Sequence, residues 1–350
     1  MRVVLADPPA FTPPYDHELA SALARAGADV ELVTSPFRFG DRPAADGYRL
    51  VESLYPRSAA ARRNVVRLPL KLVEHPFAAR SVLAHPADVV HFQWLAVPEV
   101  DRLLLRTDRP LVLTAHDLLP RRTARRTRLW RSLFARFDRV VVHSSRGRDV
   151  LSAFGVPEAK LRVIPHPVFR SDAPRADDGR TVLALGVIRA YKGLPDAVEA
   201  VLEVPDARLL VAGDPRVSLD ELRGRAGARA EWRLGYLDRP ALDRALSDAT
   251  VAVFPYAAEL DQSGALLQAL GAGLPAVVYD VGGLGEVVGR FGAGRVVPPG
   301  DVEALARGLQ ELLDDPAALA VAREGAARAR EELTWDAAAA AHVSLYEELV

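Results

Sequence analysis

Short apolar runs alternate with helix-length segments along most of this chain, and the pattern is interrupted by PHPVFRSDAPRADDG (165–179). Strands that recur only after a helical crossover pair in parallel, so each run of alternation dictates a doubly wound α/β sheet. Proline and aspartate at this density break both helix and strand, which makes 165–179 the linker. Two parallel-sheet domains are expected, 1–167 and 168–334, followed by a final segment 335–350. Length agrees, because 350 residues exceed what one hydrophobic core usually serves.

In the first half, strands are expected at Arg2–Ala6, Asp29–Thr34, Asp88–Phe92, Leu111–Ala115, Arg139–His143 and Leu161–Ile164. Helices are expected at Asp16–Ala26, 57–84, 98–106 and 121–137. Between the first strand and its helix, DPPAFTPPYDH holds four prolines and reads as a rigid loop. The second half gives strands at 181–186, 208–212 and 229–234, with helices at 195–203, 217–226 and 239–247. Helices 301–313, 316–331 and 335–349 then end the chain with no further strand.

Composition narrows the chemistry. A net charge of −1 removes any bulk attraction to nucleic acid. With no cysteine there are no disulfides, thiolate metal sites or cysteine nucleophiles. No run approaches the ~20 apolar residues of a membrane span, and MRVVLADPP lacks a signal-peptide core, so a cytoplasmic protein is expected. No D-x-D or histidine cluster points to a metal, and none is expected.

Two stretches carry chemistry. In residues 254–288 an apolar strand ends at Pro255, ELDQSG turns, and ALLQALGAG is helical as far as Gly271 or Gly273. A second strand, Leu274–Tyr279, and a glycine-rich turn at Gly282–Gly285 close this unit. Ser263, Gly264 and Ala265 stand where the helix begins, and free amides at a helix start bind anions. Ser263 is equally an ordinary N-cap. The second stretch is LGVIRAYKG (185–193), whose loop places Arg189 and Lys192 after a strand. A guanidinium and an ammonium there suit a diphosphate, since one binds bidentately and the other adds a point charge. Open α/β sheets take ligands at the carboxyl ends of their strands, where both stretches lie.

GVIRAYKG, the 254–288 unit, and VVVHSS followed by a helix and LRVIPHPV occur in the order found in retaining GT-B glycosyltransferases, the nucleotide-sugar enzymes of the family-4 type. The chain resembles that family over nearly its whole length. The resemblance implies two Rossmann-like domains facing a cleft, an acceptor bound by the first, and a nucleoside diphosphate sugar bound mainly by the second. It also implies that the last helix crosses back to the first domain. By position, Arg189 and Lys192 would hold the diphosphate together with the 263–265 amides, and Gly235, Tyr236 and Leu237 would meet the base. Gln268 replaces the glutamate that usually accepts from both ribose hydroxyls, and it accepts without charge. The sugar-facing glutamate would fall on Leu260; Asp261 is favoured in its place, with Glu259 second. Val187 stands where an arginine is common, and the proline-rich loop replaces the usual glycine pair after the first strand.

The resemblance further implies that His116, in TAHDLLP, touches the donor sugar, although it is also placed to cap a turn with Asp117. His91 reads as a buried strand residue, His166 as part of the linker, and His143 fits either a site or the core. RRTARRTRLWRSLFARF (121–137) is the one strong charge feature. It reads as a packed helix with a solvated basic end. The sharper reading is a surface for an anionic or lipid-borne acceptor at the inner membrane face, helped by Arg62, Arg63, Arg67 and Lys71. The function expected is retaining, metal-independent transfer of a sugar from a UDP- or GDP-sugar to an acceptor hydroxyl. Two alternatives share the fold: a sugar-nucleotide epimerase, and a silent partner subunit motivated by Leu260 and Gln268.

Overall fold

A computed structural model of the chain describes residues 1–37, 44–61, 64–120, 123–257 and 260–350. Both alternations form parallel sheets, and the chain divides into two compact units, Met1–Pro165 with Trp335–Val350, and His166–Thr334.

The first unit begins with β1 (Arg2–Asp7), α1 (Pro13–Arg25), β2 (Asp29–Thr34) and β3 (Arg49–Glu52). Next come α2 (Pro56–Ala60), α3 (Asn64–Ala84), β4 (Val89–Phe92) and α4 (Pro98–Leu104). β5 (Leu111–Thr114), α5 (Thr127–Phe134), β6 (Arg139–Val142), α6 (Ser145–Phe154) and β7 (Leu161–Val163) follow. The strand order is β3-β2-β1-β4-β5-β6-β7, parallel throughout. β4 and β5 are buried on both faces, which is why they read as unbroken apolar runs. Local signals set the helix ends. Ser144 Oγ accepts from the Gly147 amide at 2.8 Å and starts α6, and Gly155, at φ 103°, ends it.

The second unit contains β8 (Thr181–Leu185), α7 (Leu194–Glu203), β9 (Arg208–Gly213), α8 (Asp220–Ala226) and β10 (Ala230–Leu234). α9 (Arg239–Asp248), β11 (Val251–Phe254), α10 (Gly264–Gly271) and β12 (Ala276–Tyr279) come after them. α11 (Gly283–Phe291), β13 (Gly294–Val297), α12 (Val302–Asp314) and α13 (Pro316–Glu332) complete it. Its strand order, β10-β9-β8-β11-β12-β13, reverses direction between β8 and β11. Two apolar clusters, one on each face, bury this sheet.

Several expectations need correction. Pro13 and Pro14 open α1 rather than prolonging a loop, because proline at the first helical position gives up no bond the helix needs. The basic helix is α5 alone, Thr127–Phe134; Arg121 and Arg122 lie outside the described residues, as do Arg62 and Arg63. β3 and β13 are edge strands of four residues each, too short for a period to register. The turn at Gly282–Gly285 is instead the start of α11, where a Cβ on Gly285 would press on the Asp280 carboxylate. The stretch read as a linker is docked on the second unit: Val168 N donates to Leu333 O at 2.9 Å and Ser171 Oγ to Asp243 Oδ1 at 2.7 Å.

α14 (Trp335–Glu347) leaves the second unit's sequence and packs on α1. Arg25 pairs with Asp336 at 2.6 Å, and Glu348 accepts from Arg139 at 3.3 Å and Arg162 at 2.9 Å. Beneath, the Tyr346 hydroxyl bonds His91 Nδ1 at 2.6 Å, and His91 Nε2 bonds Thr114 Oγ1 at 2.7 Å. His91 is thus the buried strand histidine expected. His342 donates from Nδ1 to the Ala338 carbonyl at 2.8 Å, while its buried Nε2 has no partner among the described residues.

Burial pushes the His342 imidazole down to about 4, and burial, with help from His342 and His143, holds His91 well below its ordinary value. A histidine held neutral in the fold binds its proton only in the unfolded chain between its two pKa values. Its contribution is therefore complete above pH ~6.5 and is lost as pH falls toward 4. Urea unfolding of wild type and His342→Gln at pH 6.5, 5.5 and 4.5 should show wild type losing stability more steeply, by up to about 1.4 kcal/mol per pH unit. Parallel slopes would show that His342 titrates alike in both states.

Candidate active site

In the second unit, β8 and β11 are the neighbours at which strand order reverses, and the loops leaving their carboxyl ends carry GVIRAYKG and PYAAELDQSG. Adjacent crossovers there run to opposite faces of the sheet and leave a crevice between them. Main-chain contacts join the two loops. The Ala257 amide donates to the Tyr191 carbonyl at 2.8 Å. Gly193, at φ 66°, lies so close to Pro255 that any Cβ would overlap the proline carbonyl oxygen.

Lys192 ends a short 3₁₀ turn, Ala190–Lys192, and its half-buried ammonium sits 5.0 Å over the Tyr256 ring. A Cβ placed on Gly186 would stand 3.0 Å from Lys192 Nζ and 3.3 Å from Ala265 Cβ, so the cation and the start of α10 meet above Gly186. Arg189 precedes that turn, exposed, with no ion pair among the described residues.

Ser263 is the N-cap of α10, as expected, and its Oγ accepts from the Leu266 amide at 3.4 Å and meets the Tyr256 hydroxyl at 3.1 Å. Its own amide is taken, since it donates to Gln262 Oε1 at 2.9 Å. That leaves Gly264 and Ala265, exposed and half-buried, as first-turn amides without an intrahelical acceptor. Gln268 follows one turn later, half-buried on the same helix. Gly235 is held by its amide to the Gly213 carbonyl at 3.0 Å beyond the edge strand β10. Tyr236 beside it is exposed, and Leu237 packs on the core.

Asp261, favoured as the sugar-facing carboxylate, is completely buried. The Gly283 amide donates to its carbonyl at 2.9 Å, and Gly282, at φ 54°, presses its main chain on the Leu260 carbonyl. The start of α11 thus packs on the end of the loop. Glu259 lies outside the described residues. Tyr256 and Gln262, which shape the cation site and the helix start, were missed; the signal available was their place in FPY and directly before Ser263.

His116 belongs to the first unit, at the carboxyl end of β5. Its ring stacks on Trp94 at 5.3 Å and meets Tyr15 edge-on at 4.7 Å. Its Nε2 bonds Gln93 Oε1 at 3.1 Å, and its Nδ1 bonds His143 Nε2 at 3.3 Å. His143 is buried and reaches the Ile164 carbonyl at 3.0 Å, so it positions His116 from behind. Nearby, Asp7 and Asp16 are buried together, and desolvation raises both carboxyls, Asp16 well above its ordinary value with the Asp7 charge adding to it. Asp7 Oδ2 accepts from the amides of Phe11 at 2.7 Å and Thr12 at 3.1 Å, which pins the proline-rich loop. Among the described residues no three histidines or carboxylates are grouped to hold a metal ion, and no helix is long and apolar enough to cross a membrane.

Residues 15–170 match the model of Glycosyltransferase Family 4, and residues 179–315 match that of Glycosyl transferases group 1. A glycogen synthase of Mycobacterium tuberculosis is 30% identical over 288 residues, 74% of this chain and 68% of the relative. A 2-deoxystreptamine glucosyltransferase of Streptomyces kanamyceticus is 29% identical over 303 residues, 80% of this chain and 74% of that one. The solved sucrose-phosphate synthase of Thermosynechococcus elongatus superposes with a TM-score of 0.81 at 24% identity, over 100% of this chain and 99% of that one. The chain belongs to the glycosyltransferases of the GT-B fold.

Proposed function

We propose that this glycosyltransferase is a retaining hexosyltransferase that takes its sugar from a UDP- or GDP-sugar and passes it to an acceptor hydroxyl. The observation that carries the reading is the meeting of Lys192 with the start of α10 across the strand reversal at β8 and β11. As the anomeric C–O bond breaks, its electron pair leaves with the diphosphate. Lys192, Arg189 and the amides of Gly264 and Ala265 face that growing charge and bind it more tightly than the ground state. The acceptor oxygen forms the new bond, and its proton goes to the departing phosphate. Cationic side chains then do the neutralising, and no metal is part of the reading. The 2-deoxystreptamine glucosyltransferase makes glucose the first sugar to try. His116 is the group of the first unit proposed to contact the sugar. With Asp261 enclosed, the sugar-facing carboxylate passes to Glu259.

A thermal-shift screen of UDP-, GDP- and ADP-sugars identifies the donor, and the anomeric proton coupling of the product tests retention. Lys192→Ala and Arg189→Ala should each weaken nucleoside diphosphate binding by about 1.5–3 kcal/mol in calorimetry, the range for hydrogen bonds to charged groups. Unchanged affinity in both folded variants would remove the diphosphate assignment.

A neutral Gln268 binds a ribose diol less strongly than a carboxylate, because charge-assisted bonds are roughly twice as strong as neutral ones. Gln268→Glu is therefore expected to hold or improve nucleotide affinity, and Gln268→Leu to cost about 1–3 kcal/mol. Wild-type affinity in the leucine variant would turn Gln268 away from the ribose. Glu259→Ala should depress kcat while leaving nucleotide affinity alone; normal turnover would leave the sugar without this carboxylate.

A further inference from the structure

Helix α3 is inside out over its first half. Toward its carboxyl end His75, Ala78, Ala79 and Val82 are buried, at the spacing of a core-facing stripe. Earlier in the helix the side chains turned partly inward are Arg67, Leu70, Lys71 and Glu74, and those turned to solvent are all apolar. Val65, Val66, Leu68, Leu72, Val73 and Phe77 are between 50% and 85% exposed. Among the described residues, no other helix or strand exposes more than one large apolar side chain to this degree.

The orientation is fixed from beneath, so the helix is not free to roll its apolar face inward. Glu74 accepts from the amides of Arg57 and Ser58 at 2.9 Å each. His75 Nδ1 bonds the Tyr55 hydroxyl at 2.7 Å, and its Nε2 lies 2.7 Å from Asp101 Oδ1 on α4. The Lys71 ammonium stands 4.9 Å over the Tyr55 ring. Rolling the helix would strand the buried Tyr55 hydroxyl and Asp101 carboxylate without partners, a cost that opposes turning the apolar side chains inward.

The surroundings are cationic. Arg57 and Arg80 are exposed beside the stripe, and α4 next to it exposes Leu103. Beyond α4, Arg125 and Arg128 are exposed at the start of α5, where Arg126 pairs with Glu99 at 2.5 Å. Trp130, Leu133 and Phe134 of α5 are buried, so that helix offers the surface charge alone. The exposed apolar side chains near these arginines are on α3.

A two-fold contact through this face would set the arginines of one copy against those of the other. A bilayer with anionic headgroups accepts the apolar stripe and answers the cationic rim together. We propose that α3 is an interfacial helix that seats the first unit on an anionic lipid surface. The proposal rests on this surface and not on the donor site.

The test is sedimentation of the full chain with vesicles of phosphatidylglycerol and phosphatidylcholine, against vesicles of phosphatidylcholine alone. Wild type should pellet with the anionic vesicles at low salt and at least about ten-fold less with neutral vesicles or in high salt, where the headgroup field is screened. Leu68→Ser/Leu72→Ser/Phe77→Ser should lose about ten-fold or more of that binding while keeping the wild-type melting temperature and donor-induced thermal shift. Arg57→Gln/Arg80→Gln/Arg128→Gln should bind several-fold less and with a weaker salt dependence. Wild type remaining in the supernatant, or the serine variant pelleting equally, would overturn the proposal. So would a wild-type dimer in light scattering that the serine variant abolishes, because the stripe would then belong to a second copy.

Discussion

The approach of Gly193 to the Pro255 carbonyl sets the chemistry of the second unit. A parallel sheet sends every strand out at one edge, but it does not by itself bring two loops into register. Here the main chains touch, the Ala257 amide closes on Tyr191, and Lys192 is delivered to the start of α10. Tyr256 then serves both sides, its ring under the ammonium and its hydroxyl on the Ser263 cap. A side chain at Gly193 would separate the loops and so part the cation from the helix start. The meeting of cation and helix start is thus decided by backbone contact, while the charged groups supply the field.

How much of this was legible follows from the range of each interaction. Ser263 and Gly264 could be read as a helix start because a cap is local: the acceptor and the amide it serves are three residues apart. The two-sheet organisation was legible for a similar reason, since strands buried on both faces leave unbroken apolar runs. Burial of Asp261 was not, because the start of α11 that packs on this end of the loop, at Gly282 and Gly283, is distant in sequence and nothing near Asp261 announces it. α11 was hidden for the opposite reason. Its glycines serve close packing, at Gly285 against Asp280, and glycine reads as a turn when only its neighbours in sequence are considered.

The first unit buries several polar groups in its interior. Beneath α14, His91 is held between Tyr346 and Thr114, and Asp7 and Asp16 share a buried site beside the proline-rich loop. Such groups are costly to bury unless paired, and pairing requires each partner in one position. The last helix is therefore fixed by hydrogen bonds in its core and by the pairs of Asp336 and Glu348 at its ends. Hydrophobic contact alone would tolerate sliding along α1; a tyrosine hydroxyl on an imidazole nitrogen does not.

The same logic explains how α3 comes to face outward. Full burial of a valine, leucine or phenylalanine side chain is worth about 1.5–3 kcal/mol, so a free helix with this sequence would turn its stripe toward the core. Against that stands a connected set of polar partners, Glu74 on two main-chain amides and His75 between Tyr55 and Asp101. The rotation would leave the buried Tyr55 hydroxyl and Asp101 carboxylate behind without their partner, at about 1–3 kcal/mol apiece and more for the charged group. The two halves of the helix also want opposite rotations, since Ala78, Ala79 and Val82 already occupy the core beside β4 and β5. One continuous helix, with Pro69 and Pro76 inside it, carries both halves. The carboxyl half, better packed and tied through His75, decides the rotation, and the apolar side chains of the other half are carried to the surface.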